Sequence, residues 1–130
     1  ETLVASTPLS PDRVILVATD DGRIVGYTML IRGIGDDPDI AAAVPHRPAV
    51  EVSKMYVVAT HHSTGASAQL MRSGIEWATD HGAAAMWLGV NRNNERAQRF
   101  YRKTGFVVTG TRRFRLGQSY DDDLVMVRPI

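Results

Sequence analysis

The chain has no cysteine, which excludes a disulfide framework, a thiolate nucleophile and a cysteine-based metal site. It also lacks any apolar run near the ~20 residues that a membrane-spanning helix needs. The segment from Glu1 to Pro11 lacks the charged-then-apolar pattern of a secretion signal. We therefore expect a cytoplasmic protein that has no membrane partner.

An excess of one charge is lacking as well, because the formal net charge is only +1. Such a balance favours neither a nucleic-acid partner nor a membrane surface. Arg112, Arg113 and Arg115 form a small basic cluster, but three arginines alone are weak support for nucleic-acid binding. A length of 130 residues, of which 44% are hydrophobic, predicts a single domain over residues 1–130.

The hydrophobic pattern predicts alternating strands and helices. An Asp21-Gly22 turn between apolar runs at 13–18 and 23–31 is typical of a β-hairpin. Residues 1–12 are predicted to be irregular, and 33–48 a loop with one helical turn. Further strands are predicted at 50–58, 85–90, 106–114 and 122–128, with helices at 66–81 and 95–104.

Within the predicted strand at 50–58, alternation places Val50, Val52, Tyr56 and Val58 on one face. The strand–helix–strand order from residue 50 to residue 90 predicts a crossover connection between a parallel pair of strands. The hairpins on either side predict antiparallel edges, and therefore a mixed sheet.

The polar loop at 60–65 leads into the first predicted long helix through Gly65. A helix N-terminus exposes unpaired N–H groups at the positive end of the helix dipole, where a pyrophosphate is stabilised. Residues 63–68 are all small, and nothing acidic lies between Val57 and Gln69. The same pattern also fits an ordinary polar loop that caps a helix. It matches neither a Walker loop nor a dinucleotide fingerprint.

A second motif, VNRNNERAQRFYRKTGF, spans residues 90–106. Asn94 is a fitting N-cap for the following helix, and Gly105-Phe106 predicts a Schellman ending in which Phe106 folds back onto the helix. One interpretation is an amphipathic helix whose aromatic residues belong to the core. Tyr101 differs because its hydroxyl needs a hydrogen-bond partner if it is buried.

This second motif resembles the GNAT N-acetyltransferase superfamily pattern Asn-x-x-Asn-x-x-Ala-x-x-Phe-Tyr-x-Lys-x-Gly-Phe. The upstream segment 62–67 resembles that family's Gln/Arg-x-x-Gly-x-Gly/Ala, from which it departs at His62 and Ser67. The resemblance is strong over 51–106 and looser over 13–130. The second motif matches the pattern at Asn91, Asn94, Ala97, Phe100, Tyr101, Lys103, Gly105 and Phe106.

The resemblance implies the acyl-CoA N-acyltransferase fold. This fold is an α/β structure with a mixed, mostly antiparallel sheet, helices on both faces and a central parallel strand pair splayed in a V. Family members also carry one more strand and one or two helices before the first hairpin, which we expect to be short or missing here. An incomplete sheet edge favours a homodimer.

The resemblance also implies acetyl-CoA as the co-substrate, an amine as the acceptor, and no metal. Tyr101 lies at the family's usual position for the general acid. Glu51 lies where some members keep a catalytic base, although it is equally an exposed strand carboxylate, and many members pass the proton through water. The implied acetyl-CoA contacts are Tyr56, Val57, Val58, His62, Ser63, Thr64, Gly65, Ala66, Ser67, Ala68, Asn94, Ala97 and Tyr101.

Two other functions stay open from the sequence: a non-catalytic acyl-CoA-binding or regulatory module, and an unrelated α/β binding domain. The pair His61-His62 is a weak metal hypothesis, because adjacent side chains rarely converge and no further ligand set accompanies them. The acidic runs at 36–39 and 121–123 are interpreted as solvated turns or as charges that attract a cationic acceptor. Arg96, Arg99 and Arg102 are candidates for the 3′-phosphate of CoA or plain surface charges.

Overall fold

The computed structural model describes the backbone of residues 1–130 and every side chain except those of residues 114–116 and 121. The strands are β1 (Thr2–Ser10), β2 (Arg13–Asp20), β3 (Arg23–Arg32), β4 (Ala49–Val57), β5 (Ala85–Asn91), β6 (Val107–Leu116) and β7 (Ser119–Pro129). The helices are α1 (Pro38–Ala43), α2 (Ala66–Asp80) and α3 (Glu95–Lys103). All strands join one sheet in the order β1-β2-β3-β4-β5-β7-β6.

The sheet is antiparallel except at its centre, where β4 and β5 run parallel. They pair at only three positions, Ala49 with Ala85, Val50 with Met86 and Glu51 with Trp87. Both strands then continue, β4 to Val57 and β5 to Asn91, without pairing with each other. The predicted mixed sheet with a central parallel pair splayed in a V is confirmed, and Glu51 lies at the apex of the V.

The prediction of an irregular segment over residues 1–12 was wrong. Residues 2–10 form β1, which pairs with β2 from Thr2 opposite Asp20 to Ser10 opposite Arg13. The strand preceding the first hairpin is therefore present rather than missing. Most of its side chains are exposed, so it carries little of the hydrophobic alternation by which a half-buried strand is recognised.

The alternation predicted for the strand at 50–58 was wrong beyond Val52. Leu30 pairs with Val52 while Met29 pairs with Lys54, so Ser53 is the extra residue of a β-bulge. The bulge reverses the faces of the residues after it. Val57 is therefore buried with 5% of its surface exposed, whereas Tyr56 is 55% exposed.

Helices cover both faces of the sheet, as the sequence predicts. On one face, Leu70 and Met71 of α2 belong to the same buried cluster as Leu30 and Met86 of the sheet. On the other face, α1 contributes to a second cluster that includes Trp87. Within the part of the chain whose placement is described, no helix is both long and apolar enough to cross a membrane.

Candidate active site

A cavity of about 460 Å³ opens where β4 and β5 diverge, next to the starts of α2 and α3. Its lining comes from the end of β4, from the loop and first turn that begin α2, and from α3 with its N-cap. Of the sequence-predicted acetyl-CoA contacts, it brings together Tyr56, Val57, His62, Gly65, Ser67, Ala68, Asn94, Ala97 and Tyr101. The cavity is also lined by Met55, Arg96 and Phe100.

The sequence predicts some of these three additional residues better than others. Phe100 lies one helical turn after Ala97 on α3, so helical spacing alone would have placed it beside the cavity. Arg96 belongs to the arginines considered for the 3′-phosphate. Met55 lines the cavity on the Val57 side of β4, and that side is set by the bulge at Ser53, for which the sequence gives no signal.

Four of the predicted contacts, Val58, Ser63, Thr64 and Ala66, are not among the residues that line the cavity. The N–H group of Val58 donates to the carbonyl of Val25 on β3 at 2.8 Å, and that of Thr64 donates to the carbonyl of His61 at 3.3 Å. The side chain of Ala66 is completely buried under the helix. These residues shape the loop rather than face its opening.

The N-terminus of α2 is open at the cavity. Gly65 is its N-cap residue, in the left-handed conformation with φ +87°, and no side chain caps the helix. The first hydrogen bond of the helix runs from the N–H of Gln69 to the carbonyl of Gly65, at 3.0 Å. The N–H groups of residues 66–68 therefore have no partner within the helix, and they form the positive end of its dipole. This arrangement suits a phosphate group.

Two histidine side chains hold the loop before α2. His61 Nε2 lies 2.9 Å from a carboxylate oxygen of Asp20 on β2, and this hydrogen bond lowers the pKa of Asp20. His62 Nε2 lies 2.7 Å from the carbonyl oxygen of Val57. A carbonyl only accepts hydrogen bonds, so His62 carries its proton on Nε2. In the described part of the chain, no group of three or more metal-ligating side chains occurs.

The peptide group of Val57 faces the opening between the strands. Gly26 and Val57 are directly opposite each other, and the flanking Val58 N–H binds the carbonyl of Val25. Gly26 and Val57 therefore form a non-hydrogen-bonded pair, in which the N–H and carbonyl of Val57 point away from β3. The N–H group of Val57 therefore points into the opening, whereas that of Val58 points toward β3.

Tyr101 lies on α3, and hydrogen bonds at both ends of this helix fix its position. The Asn94 side chain accepts a hydrogen bond from the Ala97 N–H at 3.1 Å, as expected for an N-cap. At the other end, the N–H of Phe106 donates to the Tyr101 carbonyl and that of Gly105 to the Arg102 carbonyl. These two bonds confirm the predicted Schellman motif.

The Tyr101 ring packs edge-on against Phe100 and Phe106, with centroid distances of 5.5 and 5.8 Å. Burial raises the pKa of Tyr101. Its hydroxyl makes no hydrogen bond to any side chain or backbone group that the structure describes. A phenol in this position stays protonated at neutral pH and has a proton available for a bound molecule.

Glu51 lies outside the cavity lining, on the side of the sheet that carries Trp87. It is half-buried, and this burial raises its pKa, while the charges of Arg112 and Arg13 act in the opposite direction. The alternative of a fully exposed strand carboxylate is therefore wrong. Tyr101 and Glu51 lie on opposite sides of the opening.

The acidic runs form specific contacts. Asp37 accepts from the N–H of Asp39 and caps α1, and Asp39 in turn accepts from the N–H of Arg113 at 3.0 Å. Asp122 lies 3.5 Å from the guanidinium of Arg92.

The third residue of the later run, Asp123, lies 3.3 Å from the guanidinium of Arg112. In the basic cluster, the Arg113 guanidinium stacks 4.7 Å above the Tyr120 ring. The side chains of Asp121 and Arg115 lie outside the described residues. Asp37, Asp39 and Asp123 thus hold α1 and the β6–β7 hairpin in place.

Comparisons with known proteins agree with this geometry. The family model described as "Acetyltransferase (GNAT) family" matches residues 4–106. Uncharacterized N-acetyltransferases of Mycobacterium bovis and Mycobacterium tuberculosis are each 53% identical to the chain over 120 residues, covering 92% of it and 69% of the relative.

Two solved structures share the fold. An IAA acetyltransferase from Bacillus cereus superposes with a TM-score of 0.76 at 14% identity, covering 100% of both chains. A GNAT family acetyltransferase from Elizabethkingia anophelis with acetyl-CoA bound superposes with a TM-score of 0.75 at 12% identity, covering 99% of this chain and 98% of the other. The family match spans most of the sequence and the mycobacterial relatives align over nearly all of it, and the chain therefore belongs to the GNAT acetyltransferase family.

Proposed function

We propose that the protein transfers the acetyl group of acetyl-CoA to a primary amine by direct attack. The observation that carries this proposal is the cavity at the splayed strands, because it joins an uncapped helix N-terminus to a phenol that has no hydrogen-bond partner among the described residues. A pyrophosphate and a thioester need these two features at opposite ends of one site.

The residues around the cavity fit the parts of acetyl-CoA. The N–H groups of residues 66–68 bind the pyrophosphate, and the small side chains of Ser67 and Ala68 leave room for it. The pantetheine arm lies along the free edge of β4 and pairs with the Val57 peptide group as an added strand would. Arg96, which lines the same cavity, is suited to the 3′-phosphate.

The transfer needs one base, one acid and one donor to the carbonyl oxygen. The neutral amine attacks the thioester carbon, the C–S bond breaks, and the products are an amide and the free thiol of CoA. Glu51 takes the proton that the amine loses, Tyr101 gives a proton to the departing sulfur, and the Val57 N–H stabilises the negative charge that develops on the carbonyl oxygen. The raised pKa values of Glu51 and Tyr101 suit a base and an acid, respectively.

A non-catalytic acyl-CoA-binding module is the weaker candidate. Binding without catalysis does not require a half-buried carboxylate at the apex of the V, opposite the tyrosine. The mycobacterial relatives, which align over 92% of the chain, carry the name N-acetyltransferase. We further propose that the protein is cytoplasmic and that it forms a homodimer; because β1 completes the sheet edge, the support for the dimer is the exposed apolar pair Leu3 and Ile24.

Thermal unfolding with and without acetyl-CoA tests the cofactor site. A ligand that binds only the native state raises the apparent melting temperature. We expect a rise for the wild-type protein and none for Ser67→Glu, because the new carboxylate lies where the pyrophosphate binds. Ser67→Gln is the matched control and should keep most of the rise.

The Ser67→Glu variant is informative because an acidic residue in the first turn of a helix stabilises the helix. Its loss of the acetyl-CoA effect cannot then be attributed to unfolding. Equal rises in wild type and Ser67→Glu would place the cofactor elsewhere. Turnover is measured separately, as release of the CoA thiol with a panel of primary amines, and a protein that binds acetyl-CoA but acetylates none of them would be a binding module.

A further inference from the structure

We propose that Arg112 binds the acceptor, and that the acceptor is a small amine carrying a carboxylate group, such as an amino acid. This inference rests on the proposed acetyl transfer and names the chemical class of its unidentified substrate. It is carried by the position of the Arg112 guanidinium, which lies against Gly89 of β5, on the face of the sheet opposite α2.

The guanidinium occupies a space that exists only because residue 89 is glycine. Arg112 extends from β6 past β7 and reaches Gly89 of β5. A Cβ atom at position 89 would collide with a terminal nitrogen of Arg112 and would lie 3.1 Å from its Cζ. The missing side chain at Gly89 thus forms the seat in which the charged group lies.

The place of this seat relative to Glu51 follows from the strand register. Gly89 lies two residues beyond Trp87, the partner of Glu51 at the apex of the V, so positions 51, 87 and 89 face the same side of the sheet. Two residues along a strand correspond to about 7 Å. The guanidinium therefore lies one side-chain repeat along the opening from the carboxylate that accepts the proton of the amine.

Most hydrogen-bonding capacity of Arg112 is unused. Among the described residues its one partner is Asp123, reached by a single terminal nitrogen at 3.3 Å. Its side chain is 26% exposed, and no fully buried polar atom lacks a partner among the described side chains. The remaining N–H donors are therefore accessible from solvent. Asp123, 13% exposed, holds the guanidinium in position without enclosing it.

A fixed, half-buried guanidinium with free donors selects a planar anion, because its fork geometry matches the two oxygens of a carboxylate. With the carboxylate of the acceptor on Arg112, its amine points toward the apex, between Glu51 and the thioester. A purely cationic acceptor such as a polyamine gains nothing from this charge and is repelled by it.

The test compares each amino acid with its amide, for example glycine with glycinamide and phenylalanine with phenylalaninamide. The kcat/KM for thiol release is measured for both members of a pair in wild type and in Arg112→Gln. The acid-to-amide ratio of kcat/KM in each enzyme, divided by the same ratio in wild type, is a double ratio that equals one for wild type by definition and that cancels the different basicity of the two amines. We expect this double ratio to fall by roughly 10- to 100-fold in Arg112→Gln.

Three further variants control the result. Gly89→Ala keeps every charge but displaces the guanidinium, and it should lower the double ratio in the same direction. Arg113→Gln removes the neighbouring arginine, which stacks on Tyr120 away from the opening, and it should leave the ratio unchanged. Arg112→Gln combined with Asp123→Asn avoids an unpaired carboxylate if the single variant folds poorly.

The outcomes separate this inference from the function on which it rests. Equal double ratios in wild type and Arg112→Gln, or turnover of amines without carboxylates only, would overturn the inference and leave acetyl transfer intact. Absence of any acetyl-CoA effect on melting temperature, with no thiol release from any amine, would overturn the proposed function itself.

Discussion

Tyr101 and Glu51 have different surroundings, although burial raises the pKa of both. No charged group offsets the effect at Tyr101, which lies between two aromatic rings. At Glu51 the charges of Arg112 and Arg13 limit the rise in the pKa. The tyrosine is thereby kept as a proton donor, and the carboxylate becomes a stronger base than an exposed glutamate.

Replacing Tyr101 with Phe removes the hydroxyl and keeps the ring contacts with Phe100 and Phe106. We expect kcat to fall by about 100-fold, the usual contribution of a positioned acid, with little change in the KM for acetyl-CoA. Steady-state kinetics measure both constants. A variant with wild-type kcat would show that the departing sulfur receives its proton from another group.

The pH dependence of kcat/KM tests Glu51. A base must be ionised to act, so activity falls as the pH drops through its pKa, and burial places this fall above the ordinary value of 4.5. Glu51→Gln should lose this limb and be about 100-fold slower at neutral pH. The same amine is used for both enzymes, so its own titration contributes equally. If the two profiles coincide, water rather than Glu51 carries the proton.

At the scale of elements, the cap of α3 makes a separate contribution to stability. Asn94→Ala leaves the Ala97 N–H without its partner and should lower the free energy of unfolding by about 1 kcal/mol. Asn94→Ser, which can accept the same hydrogen bond, should lose only a fraction of this. Urea unfolding of the three proteins gives the values, and an equal loss in both variants would mean that the amide acts through another contact.

The sequence predicts the elements that carry strong local signals. The turn at Asp21-Gly22, the cap at Asn94 and the ending at Gly105 were all located from residue type alone. The first strand was missed because an edge strand with exposed side chains shows no alternation. The bulge at Ser53 was missed because an inserted residue is invisible in a pattern that is apolar on both sides of it.

The parts of the candidate site that the sequence predicts are those that lie in continuous motifs. The helix N-terminus and Tyr101 lie in continuous motifs, and the structure places them on one cavity. The seat of Arg112 on Gly89 depends on the register of two strands across a third, which no local pattern encodes. Long-range geometry of this kind becomes visible only after folding.

At the scale of the whole molecule, the face of β1–β3 opposite α2 bears exposed apolar side chains. Leu3 is 59% and Ile24 is 69% exposed, and both lie opposite Thr19 in one row across the strands. We expect a second copy of the chain to cover this face in the homodimer. Ile24→Lys should then convert the dimer to a monomer, as measured by light scattering after gel filtration.

Val107→Lys is the control for this experiment, because Val107 is also largely exposed, at 59%, but lies on the edge strand β6. It should leave the measured mass unchanged. A wild-type protein that already has the mass of one chain, or an Ile24→Lys variant that keeps the mass of two, would show that this face is not the interface.

The three-residue contact between β4 and β5 divides the sheet into two mechanical units, β1–β4 and β5–β7. Beyond the apex, the backbone amides of β4 and β5 that point into the V have no neighbouring strand to protect them, so small hinge openings of one unit against the other should let them exchange readily with solvent deuterium. A molecule wedged between the strands joins the units again. We expect acetyl-CoA to slow amide exchange in β5 and β7 as well as in β4, although its proposed backbone contacts lie on β4 and α2.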